Sequence, residues 1–185
     1  MLVNSENTFF SKYKQLKAYA RIEGIIVGVL MSICFMFFIG GFRNILLSSI
    51  SLLFLFSIFL YITIRTIRFQ NKIVEERLSF RRAFAFPFYS LLYGNIIFVV
   101  FLLVYFIWFD NGYFIDQYLI MINDTRNSTI FQDYGITNND IKQISTQLSE
   151  VSPIDISFQF FITNVIISAF VSVIVAIITR LYNRI

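Results

Sequence analysis

Two asparagines, Asn95 and Asn164, stand inside long apolar runs. A side-chain amide both donates and accepts hydrogen bonds. Surrounded by hydrocarbon, such a pair has two readings. It ties neighbouring helices together, each bond contributing about 0.6–2 kcal/mol, or it lines a polar pocket for a small ligand or ion. Gly24 and Gly28 form a G-x-x-x-G in an apolar stretch, a spacing that lets a second helix approach closely. Glu23 lies at the rim of the same stretch, where it is expected to pair with a nearby Lys or Arg. The single cysteine, Cys34, lies mid-run, forms no internal disulfide and reads as an apolar helix residue.

Other chemistry is missing from the pattern. The chain has no histidine, and so lacks the commonest metal ligand and general base. No H-E-x-x-H, G-x-S-x-G or phosphate-binding glycine loop occurs. A Ser–Lys dyad needs both groups at one depth, and every lysine falls outside the apolar runs. The expectation is a protein that is not an enzyme, with no catalytic residue, no metal ligand and no cofactor.

The elements that hold these residues follow from composition. The chain is 57% hydrophobic and 14% charged, against about 25% charged in soluble domains. From Ala83 to Phe109 no charged residue appears. At about 1.5 Å per residue that run exceeds the roughly 30 Å of bilayer hydrocarbon. Three comparable runs accompany it. The predicted fold is an all-α membrane protein: one integral membrane domain over residues 1–185 with four transmembrane helices at about 22–42, 45–65, 86–109 and 156–179. A short amphipathic helical segment, 110–155, lies between the third and fourth.

Local signals support this division. Phe9, Tyr13, Leu16 and Ala20 recur at helical spacing beside Lys12, Lys14, Lys17 and Arg21, which reads as a basic interfacial lead-in. Gly40-Gly41-Phe42-Arg43-Asn44 is a tight connection, so the first two crossings are antiparallel neighbours. Arg65, Arg68, Lys72, Arg77, Arg81 and Arg82 form a basic hinge before the third crossing. Of these, Arg65, Arg68, Arg81 and Arg82 are expected to anchor the helices at the lipid surface. Ser79 stands where it would cap the third helix, and Pro87 follows within its first turns. In the polar segment Thr137-Asn138-Asn139-Asp140 resembles a capping box, and Gly135 separates it from an earlier helix carrying Phe114, Tyr118, Met121 and Ile122. Ser152-Pro153-Ile154-Asp155 marks the start of the last helix. The Asn127-Ser128-Thr129 sequon carries little meaning if the source is bacterial.

Charge sets an expected orientation. With the N-terminus cytoplasmic, only Arg43, Arg126 and Lys142 among the basic residues lie outside. Both termini then face the cytoplasm, and the acidic segment faces out behind an aromatic belt of Tyr105, Trp108 and Tyr113.

The glycine-bearing first crossing (Gly24, Gly28), the Ser79-Phe80-Arg81-Arg82-Ala83-Phe84 stretch, the aromatic third crossing, the length of the intervening segment and Asn164 together resemble an uncharacterised bacterial family of four-helix membrane proteins, the domain of unknown function forty-one ninety-nine. The resemblance runs from about Tyr19 onward. It implies a bacterial inner-membrane location and carries over no catalytic or binding residue. The paired Arg81-Arg82 departs from it, where smaller or acidic residues are expected. The functional expectation is a scaffold or accessory subunit. The alternative is a small transporter, or part of one, using a polar pocket at Asn95 and Asn164. Expected partners are membrane lipid and either a second membrane protein or further copies of the chain, with no nucleic acid.

Overall fold

The computed structural model describes residues 2–70, 79–124, 133 and 137–182, with side chains from Tyr13 onward except that of Asn138. Lys72, Arg77, Arg126, the sequon, Gly135 and Arg184 lie outside the described residues. Among the described residues six helices follow one another: α1 (Leu2–Gly41), α2 (Ile45–Phe69), α3 (Phe80–Trp108), α4 (Tyr113–Asn123), α5 (Asn138–Ser149) and α6 (Pro153–Tyr182). No strand occurs among the described residues. Segments Tyr13–Gly41, Ile45–Phe69, Phe80–Trp108 and Pro153–Tyr182 are long and apolar enough to cross a membrane. The protein is an all-helical membrane protein.

The chain divides into two compact units, Met1–Val100 with Phe160–Ile185, and Phe101–Gln159. In the first, α1 and α2 form an antiparallel hairpin. Asn44 caps α2 by accepting from the Leu46 amide at 2.9 Å. Ser51 Oγ donates to the Cys34 carbonyl at 3.1 Å, and the Cys34 thiol lies 3.3 Å from the Ser51 carbonyl. The cysteine read as merely apolar is thus one half of a reciprocal cross-helix tie.

The lead-in is not a separate interfacial element. No glycine or proline interrupts residues 2–23, so α1 runs through it unbroken. Leu16 and Ala20 are buried with Phe69, Ala85 and Phe86, and the rings of Phe69 and Phe86 stack at 4.4 Å. At Leu16 and Ala20 the apolar stripe therefore faces protein.

Helices α1 and α3 run parallel and approach most closely at three glycines. A Cβ on Gly24 would stand 2.6 Å from Tyr93 Cβ and 3.0 Å from the Ser90 carbonyl oxygen. One on Gly28 would stand 2.8 Å from the Gly94 carbonyl oxygen, and one on Gly94 2.8 Å from Val27 Cγ1. This backbone-to-backbone seam leaves no room for a methyl group. Beyond it Val27, Ile58, Ile62, Leu91 and Val175 bring all four long helices into one core.

Helix α6 is small inside and bulky outside. On α6, Ser168, Ser172, Val175, Ala176 and Thr179 are buried, whereas Ile166, Phe170, Ile174 and Ile177 are exposed. Lipid tails are as apolar as those outer side chains, so association comes from close packing rather than from hiding bulk. Most buried hydroxyls of the long helices are satisfied by their own helix: Ser168 donates to the Asn164 carbonyl, Ser172 to Ser168, Thr179 to Val175 and Ser90 to Phe86, at 2.6–2.9 Å. Helix α3 is the most buried of the four and α2 the least. Pro87 lies inside α3 and removes the amide that the Ala83 carbonyl would receive.

In the second unit the end of α3 turns through Asn111 (φ 48°) and Gly112 (φ 84°) into α4. Asp110 is 5% exposed, and its carboxylate accepts from the Phe114 amide at 3.2 Å. The Tyr105 hydroxyl donates to the same carboxylate. Phe114 packs on Phe106 at 5.4 Å and on Tyr118 at 4.9 Å, and α4 lies against α5, where Ile141 is buried. The Thr137–Asp140 capping box opens α5, and the matching Ser152–Asp155 pair opens α6, with Ser152 Oγ 2.6 Å from the Asp155 carboxylate.

Two predictions follow from these contacts. Gly24→Ala and Gly94→Ala should each destabilise the bundle by about 1–3 kcal/mol through overpacking. Gly112→Ala meets nothing within 4 Å and should cost only the left-handed backbone term, about 1–2 kcal/mol. Unfolding midpoints in mixed detergent micelles test this, and a loss below about 1 kcal/mol at both Gly24 and Gly94 would contradict the seam. Separately, hydrogen bonds from the Thr137 side chain and backbone hold the exposed Asp140 carboxyl below its ordinary value of 3.8. The folded state therefore favours the charged form. The stabilisation is present above the ordinary carboxylate range and is lost as pH falls through the lowered value. Asp140→Asn should weaken amide protection over α5 at pH 7, and the difference from wild type should vanish in acid.

Candidate functional site

Ionisable side chains are rare within the crossings, and one pair is held across the α1–α2 hairpin. Glu23 lies roughly 27 Å along α1 from the turn at Gly41, at about 1.5 Å per residue, near the limit of the hydrocarbon. Its side chain is 5% exposed and forms an ion pair with Arg65, whose side chain is 35% exposed. The second carboxylate oxygen accepts from the Tyr61 hydroxyl at 2.6 Å. The Arg65 guanidinium also lies over the Tyr61 ring, 5.9 Å from its centre. Tyr61 and Arg65 are one turn apart on α2, so both reach the same carboxylate. The cluster has no net charge, and each carboxylate oxygen has a donor. Its chemistry is that of a closed latch across the hairpin.

The second cross-helix tie involves Asn95, which is fully buried. Its amide nitrogen donates to the Phe161 carbonyl of α6 at 3.0 Å, while Oδ1 has no partner among the described residues. Asn164 lies one turn further along α6, half-buried, and its own carbonyl accepts from Ser168. The Asn95 tie is thus made to backbone. Gly24 and Gly28 lie at the α1–α3 seam described above. Arg68 and Arg81 are exposed and Arg82 is half-buried, whereas Arg65 is drawn into the latch.

A further pair of cations lies on α1. Lys17 Nζ stands 5.3 Å from the centre of the Tyr89 ring, and Arg21 Cζ 5.8 Å from that of Tyr93. Among the described residues no group of three or more His, Cys, Asp or Glu side chains converges to hold a metal ion.

The model of a family described as protein of unknown function (DUF4199) matches residues 23–180. The chain belongs to DUF4199. The DUF4199 stretch contains the latch, the three seam glycines, Asn95 and Asn164, whereas Lys17 and Arg21 precede it. No curated protein and no solved structure matches the chain.

Tyr61, Gly94 and the reciprocal Cys34–Ser51 tie match no sequence motif. A signal for two of them exists. Reflection of an antiparallel hairpin about its turn near residue 43 brings Cys34 opposite Ser51 and sets Glu23 between Tyr61 and Arg65. Gly94 has no such signal, because the turn does not say which helix packs against the glycines of α1.

The latch gives an asymmetric prediction. Arg65→Gln strands a desolvated carboxylate and should cost about 3 kcal/mol, the lower range for breaking a buried pair. Glu23→Gln leaves an amide that still bonds Tyr61, and the half-exposed arginine can turn its head to the interface, so the loss should be about 1 kcal/mol. Unfolding of both variants in mixed micelles decides the order. A larger loss for Glu23→Gln would mean that the arginine, not the carboxylate, is the desolvated partner.

Proposed function

We propose that this chain is a scaffold or accessory subunit of the bacterial inner membrane and performs no catalysis. One observation carries this reading. Within the crossings, the charged carboxylate and nearly all buried hydroxyls bond other groups of the same chain. Groups consumed in this way stabilise a bundle and are not free to pass a solute or a proton between them. The distribution of Lys and Arg supports cytoplasmic termini and an outward-facing 110–155 segment. That segment, with its capped helices α4 and α5, offers a built surface for a second membrane protein.

One observation favours the second reading, a small transporter or transport component. Asn95 Oδ1 is buried without a partner among the described residues, as the wall of a polar pocket would be.

Mild extraction of the tagged protein from its native membrane, with mass spectrometry of what accompanies it, should yield one stoichiometric partner. That partner should be lost when residues 110–155 are replaced by a flexible linker. Purified protein that moves a solute into liposomes unaided, and stops doing so as Asn95→Leu, would overturn the scaffold reading in favour of transport.

A further inference from the structure

We infer that Lys17 and Arg21 of α1, together with Tyr89 and Tyr93 of α3, form a binding site for the phosphate of an anionic lipid headgroup. The four residues form two rungs along the α1–α3 contact. Lys17 stands over the Tyr89 ring and Arg21 over the Tyr93 ring, with centre distances of 5.3 Å and 5.8 Å. In each helix the two members are one turn apart. Leu16 and Ala20, buried against α3 from the same turns of α1, fix the spacing beneath them.

No carboxylate among the described residues compensates this pair. Glu23, two residues beyond Arg21 on α1, is turned to α2 and taken by Arg65 and Tyr61. Among the described residues neither Lys17 nor Arg21 meets a carboxylate. An aromatic ring holds a cation in place through its quadrupole but supplies no counter-charge. Two exposed cations held in a set geometry, with no anion of their own, define an anion site.

Depth identifies the anion. Arg21 lies about 30 Å along α1 from the turn at Gly41, at about 1.5 Å per residue. That is the thickness of the hydrocarbon, so the guanidinium lies where phosphodiesters begin. Arginine suits a phosphate because its planar donors match two oxygens at once, and lysine adds a point charge. The hinge arginines are a different set of residues, and the site does not depend on the scaffold reading.

The test uses the full chain purified in an uncharged detergent. Phosphatidylglycerol, phosphatidylcholine or inorganic phosphate is added, and retained ligand is read by native mass spectrometry alongside thermal stability. Phosphatidylglycerol should be retained and should raise the melting temperature, and phosphatidylcholine should not. Lys17→Gln/Arg21→Gln should lower phosphatidylglycerol affinity by about ten- to thirtyfold, the sum expected of two basic contacts with an anionic headgroup. Arg180→Gln/Lys142→Gln removes the same charge elsewhere and should retain the lipid. The charge-preserving Lys17→Arg/Arg21→Lys variant keeps the test valid if the neutral variant does not fold, and it should bind within a few-fold of wild type. Equal losses in both neutral double variants would reduce the effect to general charge attraction and overturn the site. Equal stabilisation by inorganic phosphate would assign it to a soluble anion and overturn the lipid.

Discussion

Inside a bilayer a polar group that finds no partner in the protein finds none at all. The rest of this structure depends on that constraint. It requires helices, because only a helix satisfies its own backbone within one segment. It turns most of the buried serine and threonine hydroxyls back onto carbonyls one turn earlier. It also explains why Glu23 carries two donors from α2. A carboxylate at that depth with one donor would leave an oxygen stranded.

The same constraint decides what holds the helices together. Hiding bulky side chains gains little where the solvent is itself hydrocarbon, so close approach supplies the attraction. Gly24, Gly28 and Gly94 let the α1 and α3 backbones meet, and the Ser–Val–Ala–Thr face of α6 closes on the same core. The latch, the Cys34–Ser51 pair and the Asn95–Phe161 bond then set rotation and register at separate depths. Packing supplies the attraction, and the sparse polar ties choose among the arrangements that packing alone would allow.

The sequence makes the class of this fold legible and its neighbours less so. The uncharged run from Ala83 to Phe109 and the Ser152-Pro153 signal point directly at helices that the structure contains. The tight turn at Gly40–Asn44 makes α1 and α2 partners. Nothing equivalent pairs α1 with α3, because hydropathy reports that a residue is apolar and not which helix it meets. Gly94 therefore looks like one more glycine in a membrane helix until α1 is placed beside it. Asp110 hides for a related reason. As a letter it is an acidic residue past the end of a crossing, and only the left-handed turn at Asn111 and Gly112 folds its carboxylate back beneath α4.

The hairpin also has a consequence for how this chain tolerates change. Glu23 meets Tyr61 and Arg65 because equal lengths of helix run from the turn to each side. Removing one residue between Gly28 and Gly41 would rotate everything before it by about 100° and shift it by about 1.5 Å. Glu23 would swing away from α2, and the seam glycines on its far side would rotate with it. Composition and hydropathy would barely change. What the hairpin encodes is a count, and a deletion that any measure of amino-acid similarity scores as trivial would uncouple the latch and the seam together.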